Sequence, residues 1–193
     1  MSRAYQIEVR EAFEVQARGR DRVESRLQLL QLLPAERLGD LLGQELAQDG
    51  FQEREGVWEK TIVDEDRGQV TLTIDPKCGI VTVDAHVEKS GKFIATRHDV
   101  VWDNPEESRR REAQLRELAK HDAEGEKAAQ ADLAKKLAAT LLEESLPAIR
   151  DLVHKLTHRV TVRALREKAE AMGRVQSIEE DPASRKLTIV LEI

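Results

Sequence analysis

His154 and His158 stand four residues apart in a segment of helical periodicity, with Asp151 three residues before the first. Two imidazoles one helical turn apart can chelate a divalent cation such as zinc. A closed zinc site needs further ligands, however, and Lys155 stands where the metalloprotease pattern has a Glu directly after its first His. Lys155, Arg159, Arg163 and Arg166 recur at helical spacing in the same segment, where Asp151 is the one acid between residues 148 and 166. Such a face can meet phosphates or an acidic protein surface, and it is also the ordinary solvated complement of an amphipathic helix.

Three other clusters are short of a motif. Ser90-Gly91-Lys92 has the end of a phosphate-binding loop, but His86 and Phe93 occupy the places that need Gly and Ser or Thr, so the segment reads as a hairpin turn. Asp64, Glu65 and Asp66 crowd a turn tip, yet Gln69 holds the sixth place that a calcium loop reserves for Gly. A solvated turn is the expectation. Cys78 follows Lys77, whose charge would lower the thiol pKa, and His86, His98 and Asp84 are near enough in sequence to join it in space. No spacing supports a nucleophile and base, and no cofactor is implied.

These residues need elements to carry them. Tyr5, Ile7, Val9, Phe13, Val15 and Ala17 occupy odd positions, while Gln6, Glu8, Arg10, Glu14, Gln16 and Arg18 occupy even ones, the period of a half-buried strand. Gly19-Arg20-Asp21 has turn composition, and Val23 to Leu29 repeat the alternation, which predicts a hairpin, although 21–32 also suits a helix. Pro34 is placed as a first-turn proline of a helix carrying Leu38, Leu41, Leu42 and Leu46, ended by Asp49-Gly50. A meander follows over Val57–Asp64, Gln69–Asp75 and Ile80–Glu88; Lys89-Ser90-Gly91 turns the chain, and Phe93–Trp102 adds a last strand.

At Asn104-Pro105-Glu106-Glu107 a cap, a first-turn Pro and two acids open a helical section. Residues 106–127 are so polar that they are expected to bury little, and Pro147 marks a break. The chain closes on a hairpin whose Leu187, Ile189, Leu191 and Ile193 form one apolar face. Two strands alone are marginal in water, so that face is expected to meet another element or another chain. The expected class is α+β, with an α+β unit over 1–103, a helical section over 104–172 broken near 125 and 147, and a terminal hairpin over 173–193.

Composition adds exclusions. The chain of 193 residues has 31 basic and 37 acidic side chains, a formal charge of −6, which weighs against binding nucleic acid by bulk charge. One Cys cannot form a disulfide within the chain, and with a charged start at Met1-Ser2-Arg3 this points to the cytoplasm. No apolar run approaches the ~20 residues of a membrane span.

The order of elements, with the tail Gly173-Arg174-Val175-Gln176-Ser177-Ile178-Glu179-Glu180-Asp181-Pro182, resembles the small accessory proteins of bacterial FtsH ternary systems. The resemblance implies a protein encoded beside an FtsH-like AAA+ ATPase in a conflict or stress-response system, acting as adaptor or substrate-handling partner. It carries over no residue roles. The expectation is a non-enzymatic binding or scaffold protein with protein partners or a second copy of itself on the terminal face. Two alternatives stay open: anion or RNA binding through Lys155, Arg159, Arg163 and Arg166, and an enzyme whose site gathers scattered His, Asp and Cys.

Overall fold

The structure, a computed structural model, describes residues 4–102, 104–181 and 186–192. In chain order the elements are β1 (Ala4–Arg26), α1 (Ala35–Gln48), β2 (Gln52–Arg54), β3 (Val57–Asp64), β4 (Gly68–Asp75), β5 (Ile80–Trp102), α2 (Pro105–Met172), β6 (Arg174–Asp181) and β7 (Lys186–Glu192). One sheet has the order β1-β5-β4-β3-β2, and β6 pairs with β7 in a second. This is the expected α+β class. The short connections between β3, β4 and β5 require antiparallel neighbours, and each is held by an Asp. Asp64 Oδ1 accepts the N–H groups of Asp66 and Arg67, both at 3.2 Å. Asp75 Oδ1 accepts those of Lys77 (2.8 Å) and Cys78 (3.2 Å), and Gly79 closes the turn at φ 63°. Asp64-Glu65-Asp66 is thus a side-chain-braced turn.

The expected hairpin at Gly19-Arg20-Asp21 does not form, because β1 runs straight through it. Gly19 is a clearance instead. A Cβ there would overlap the Ala134 carbonyl and lie 2.5 Å from Lys135 N, so only a glycine lets the helix backbone come this close. The rest of 21–32 is strand to Arg26 and irregular beyond it. The turn expected at Lys89-Ser90-Gly91 is also strand, inside β5. Arg18 meets Glu88 at 2.9 Å and Glu8 meets His98 at 3.8 Å; the equal steps along both strands keep one antiparallel register across 89–91.

The helical section is one helix, with Pro147 inside it and no break near 125. Asn104 caps it as expected, its Oδ1 accepting from the N–H of Glu106 (3.1 Å) and Glu107 (3.4 Å). Its strong helix formers, Ala above all between 128 and 139, carry it past the weak points.

The described residues form two compact units interleaved along the chain. The first gathers residues up to Asp21, Asp64–Gln69 and Ala85–Leu141. In it Val9, Val15, Ala17, Ala95 and Val101 of the strands are buried together with Leu115, Ala119, Ala123, Ala134 and Ala138 of α2. Residues 106–127 therefore do bury a seam. It consists mostly of alanines four residues apart, one face of a helix with side chains short enough for close approach to strands. Arg97 anchors that seam with a bidentate grip on Asp122, its Nε donating at 2.7 Å.

The second unit gathers Arg22–Val63, Val70–Asp84 and the residues from Leu142 onward. Its core holds Leu41, Leu42 and Leu46 of α1, Leu72 and Ile74 of β4, and Leu156 and Val160 of α2. Lys60 Nζ donates to the Asp49 carbonyl (2.7 Å) while lying 5.6 Å from the Phe51 ring, placing a cation at the negative end of α1. In the terminal hairpin Glu180 pairs with Leu187, Ile178 with Ile189 and Val175 with Leu191. The side chains of Leu187, Ile189 and Leu191, and all of Ile193, lie outside the described residues.

Candidate functional site

The basic face of α2 is where sequence and structure meet most closely. Arg159 Nε donates to Glu45 Oε2 at 2.6 Å, and its Nη2 donates to Asp49 Oδ2 at 2.7 Å. One turn on, Arg163 Nη1 donates to Glu45 Oε1 (2.8 Å) and Nη2 to Gln44 Oε1 (2.6 Å). Farther along, Arg37 of α1 donates to both carboxylate oxygens of Glu167, at 2.9 and 2.7 Å. Helix is clasped to helix by charge-assisted bonds.

Glu45 is the centre of this clasp and is only 3% exposed. Burial alone pushes its carboxyl up. The hydrogen bonds from Arg163 and Arg159, and their charges, outweigh that and hold it below the ordinary glutamate value. Sequence reasoning singled out the arginines and missed their partner. The signal was present: Glu45 falls in the stripe of Leu38, Leu41, Leu42 and Leu46, the apolar face of α1, where a carboxylate must be paired.

Of the four cations expected to meet an anion, then, Arg159 and Arg163 are occupied by carboxylates of the chain itself, while Lys155 and Arg166 are exposed on α2. His154 and His158 are exposed one turn apart on the same helix. Among the described residues no group of three or more His, Cys, Asp and Glu side chains converges as a metal site would.

His86 Nε2 faces Glu88 at 3.4 Å, and His98 faces Glu8. Cys78 is exposed on its turn, and its thiol is pushed up, first by its hydrogen bond to Asp75 and the charge of that carboxylate; Lys77 opposes this more weakly. The expected activation by Lys77 is reversed, since thiolate beside carboxylate is a like-charge pair.

Beside α1 an open groove of about 960 Å³ is floored by Gly39 and Gly43 and walled by Trp58. On β5, Ile94, Val100 and Trp102 are 49%, 62% and 59% exposed, whereas Ala95 and Val101 between them are buried. Alternation puts all three on the outward face of the strand, Val100 next to Trp102 and Ile94 beyond Thr96 and His98.

A five-stranded sheet, one short amphipathic helix and a 68-residue helix with paired arginines define an α+β protein whose polar side chains clasp its own elements. The chain belongs to the family of the FtsH ternary system domain X5, whose model matches residues 1–193. Membership makes it a component of an FtsH ternary system, as its resemblance implied. No curated protein and no solved structure matches it. No helix among the described residues is long and apolar enough to cross a membrane.

Proposed function

We propose that this chain is a non-enzymatic binding component of its system, an adaptor or scaffold that docks the FtsH-like AAA+ ATPase on the outward face of β5. The observation that carries this reading is the exposure of Trp102 with Val100 and Ile94 on one strand face. Solvated tryptophans beside aliphatic side chains are the residues that dominate protein interfaces when covered. The paired arginines support the same reading against the anion or RNA alternative, because Arg159 and Arg163 already spend their charge on Glu45 and Asp49.

The test is sedimentation and calorimetry with the purified full chain and the ATPase of the same system. Binding is expected, weakened at least tenfold by Trp102→Ser with Val100→Ser, whose exposed positions leave folding intact. Absence of binding, or binding indifferent to those two substitutions, overturns the proposal.

A further inference from the structure

β5 outruns its neighbour β4. Gly68, the first residue of the short strand β4, lies against the His86 carbonyl, so β4 reaches no farther along β5 than about Glu88. Among the described residues no strand pairs with that side of β5 from Lys89 to Trp102. Leu27 N donates to Gly79 O at 2.7 Å, and Arg18–Glu88 and Glu8–His98 keep the same register, so the odd residues of β5 exchange hydrogen bonds with β1. The even residues Ile94, Thr96, His98, Val100 and Trp102 therefore turn their backbone N–H and C=O to the open edge, and all five side chains are exposed on the outward face. The other edge of this ribbon, on β1, carries Glu8, Arg10, Glu14 and Arg18 at its even positions, a common defence against strand addition. From Ile94 to Trp102 the even positions of β5 carry no Asp, Glu, Lys or Arg.

That edge is complementary to itself. Antiparallel pairing about a two-fold axis at His98 sets Ile94 against Trp102 and Thr96 against Val100 of a second chain, twice over, with about ten backbone hydrogen bonds. Moving the axis to Thr96 would set Trp102 against Ser90 and Val100 against Lys92, and moving it to Val100 would carry Ile94 past the end of the strand. The covering helix marks the same point. Arg116 of α2 faces Glu11 of β1 at 3.8 Å, whereas Arg111 faces Asp99 of β5 at 3.7 Å and Asp122 holds Arg97, so the flank from Arg111 to Asp122 lies toward the open edge at the level of His98. Leu118 stands on that flank, four residues before Asp122, and is 50% exposed. Two strands at about 4.8 Å each would set the helices of two such ribbons about 10 Å apart, the spacing of packed helices. We propose that this edge joins two copies of the chain in a two-fold dimer with one continuous sheet, Leu118 of each copy meeting the other at the axis. Ile94 of one copy then adjoins Trp102 of the other, which makes the outward apolar face continuous. The dimer does not rest on the docking of the ATPase to that face.

Analytical ultracentrifugation of the full chain alone is the test, so that the dimer and the docking of the ATPase can fail separately. Mass is expected to rise with concentration from 21.9 kDa to twice that and no further. Thr96→Glu with Val100→Glu, both exposed, sets like charges opposite each other and is expected to weaken the dimer about tenfold or more, as is Thr96→Lys with Val100→Lys. Mixing the two paired variants is expected to restore a dimer, because residue 96 of one chain faces residue 100 of the other. Ala12→Glu, on the edge of β1, leaves association unchanged. With Cys78→Ser removing the one native thiol, His98→Cys is expected to form a disulfide between copies under mild oxidation, and Ser90→Cys is not. The proposal is overturned by a monomer up to the solubility limit, by assemblies larger than two, or by a dimer indifferent to the paired substitutions. Failure of the mixed variants to associate, or equal cross-linking at 98 and 90, overturns it as well.

Discussion

Arg159 Nε and Glu45 Oε2 meet at 2.6 Å, across 114 residues of sequence, and join the amphipathic stripe of α1 to the basic face of α2. A buried carboxylate gripped by two guanidinium groups is worth less than its geometry suggests, because both arginines keep contact with solvent. Removing the acid still strands two donors. Glu45→Ala is expected to lower unfolding free energy by about 2 kcal/mol, the scale of hydrogen bonds to charged groups. Urea denaturation of Glu45→Ala, Arg163→Ala and the double variant measures the coupling, and strict additivity would show that the pair contributes nothing of its own.

The same contacts set the acid limb of stability. Hydrogen bonds from Arg163 and Arg159 outweigh burial at Glu45, that from Arg97 acts first at Asp122, and that from Arg37 acts first at Glu167; all three carboxyls are held below their ordinary values. The unfolded chain therefore takes up these protons first as pH falls, so their contribution is complete above about pH 5 and is lost as pH drops through the folded values. Unfolding free energy is expected to decline steadily below about pH 4.5, and less steeply in Glu45→Gln. Equal slopes in both proteins would assign the acid limb to other groups.

Glycines separate clearance from permissiveness. Gly19→Ala forces a methyl into helix backbone at Ala134 and is expected to cost about 2 kcal/mol or more, the scale of overpacking. Gly39→Ala on α1 meets nothing within 4 Å and is expected to stabilise by about 0.5–1 kcal/mol, the helix-propensity difference. Thermal unfolding of the two variants should shift in opposite directions. A tolerated alanine at 19 would contradict the close approach.

Cys78 is expected to alkylate slowly at neutral pH, since Asp75 disfavours its thiolate. Asp75→Asn keeps an oxygen to accept the N–H groups of Lys77 and Cys78 while removing the charge, so the pH profile of iodoacetamide labelling should move toward lower pH. An unmoved profile would show that the carboxylate does not govern the thiol.

The sheet and α1 were legible because their signals are local. Val70, Leu72 and Ile74 alternate with polar neighbours, and Leu38, Leu41, Leu42 and Leu46 recur at helical spacing; both periods follow from backbone geometry within a few residues. The Asn104 cap was equally visible, for its partners lie two and three residues on. Gly19 and Gly91 misled for the converse reason. Glycine allows a turn without requiring one, and continued pairing of β1 with β5 carried both strands through.

By itself, then, the sequence determined the α+β class, the meander, the first helix and the start of the second, because side-chain periodicity and capping act over short stretches of chain. Tertiary structure alone decided that 106–127 lies against its own strands, that Gly19 makes room for Ala134, and that Arg159 and Arg163 close on Glu45. Each of those outcomes joins residues more than about a hundred positions apart or depends on which face a neighbour presents. Clearance and charge pairing are set by that neighbour's position in space, which no local pattern encodes.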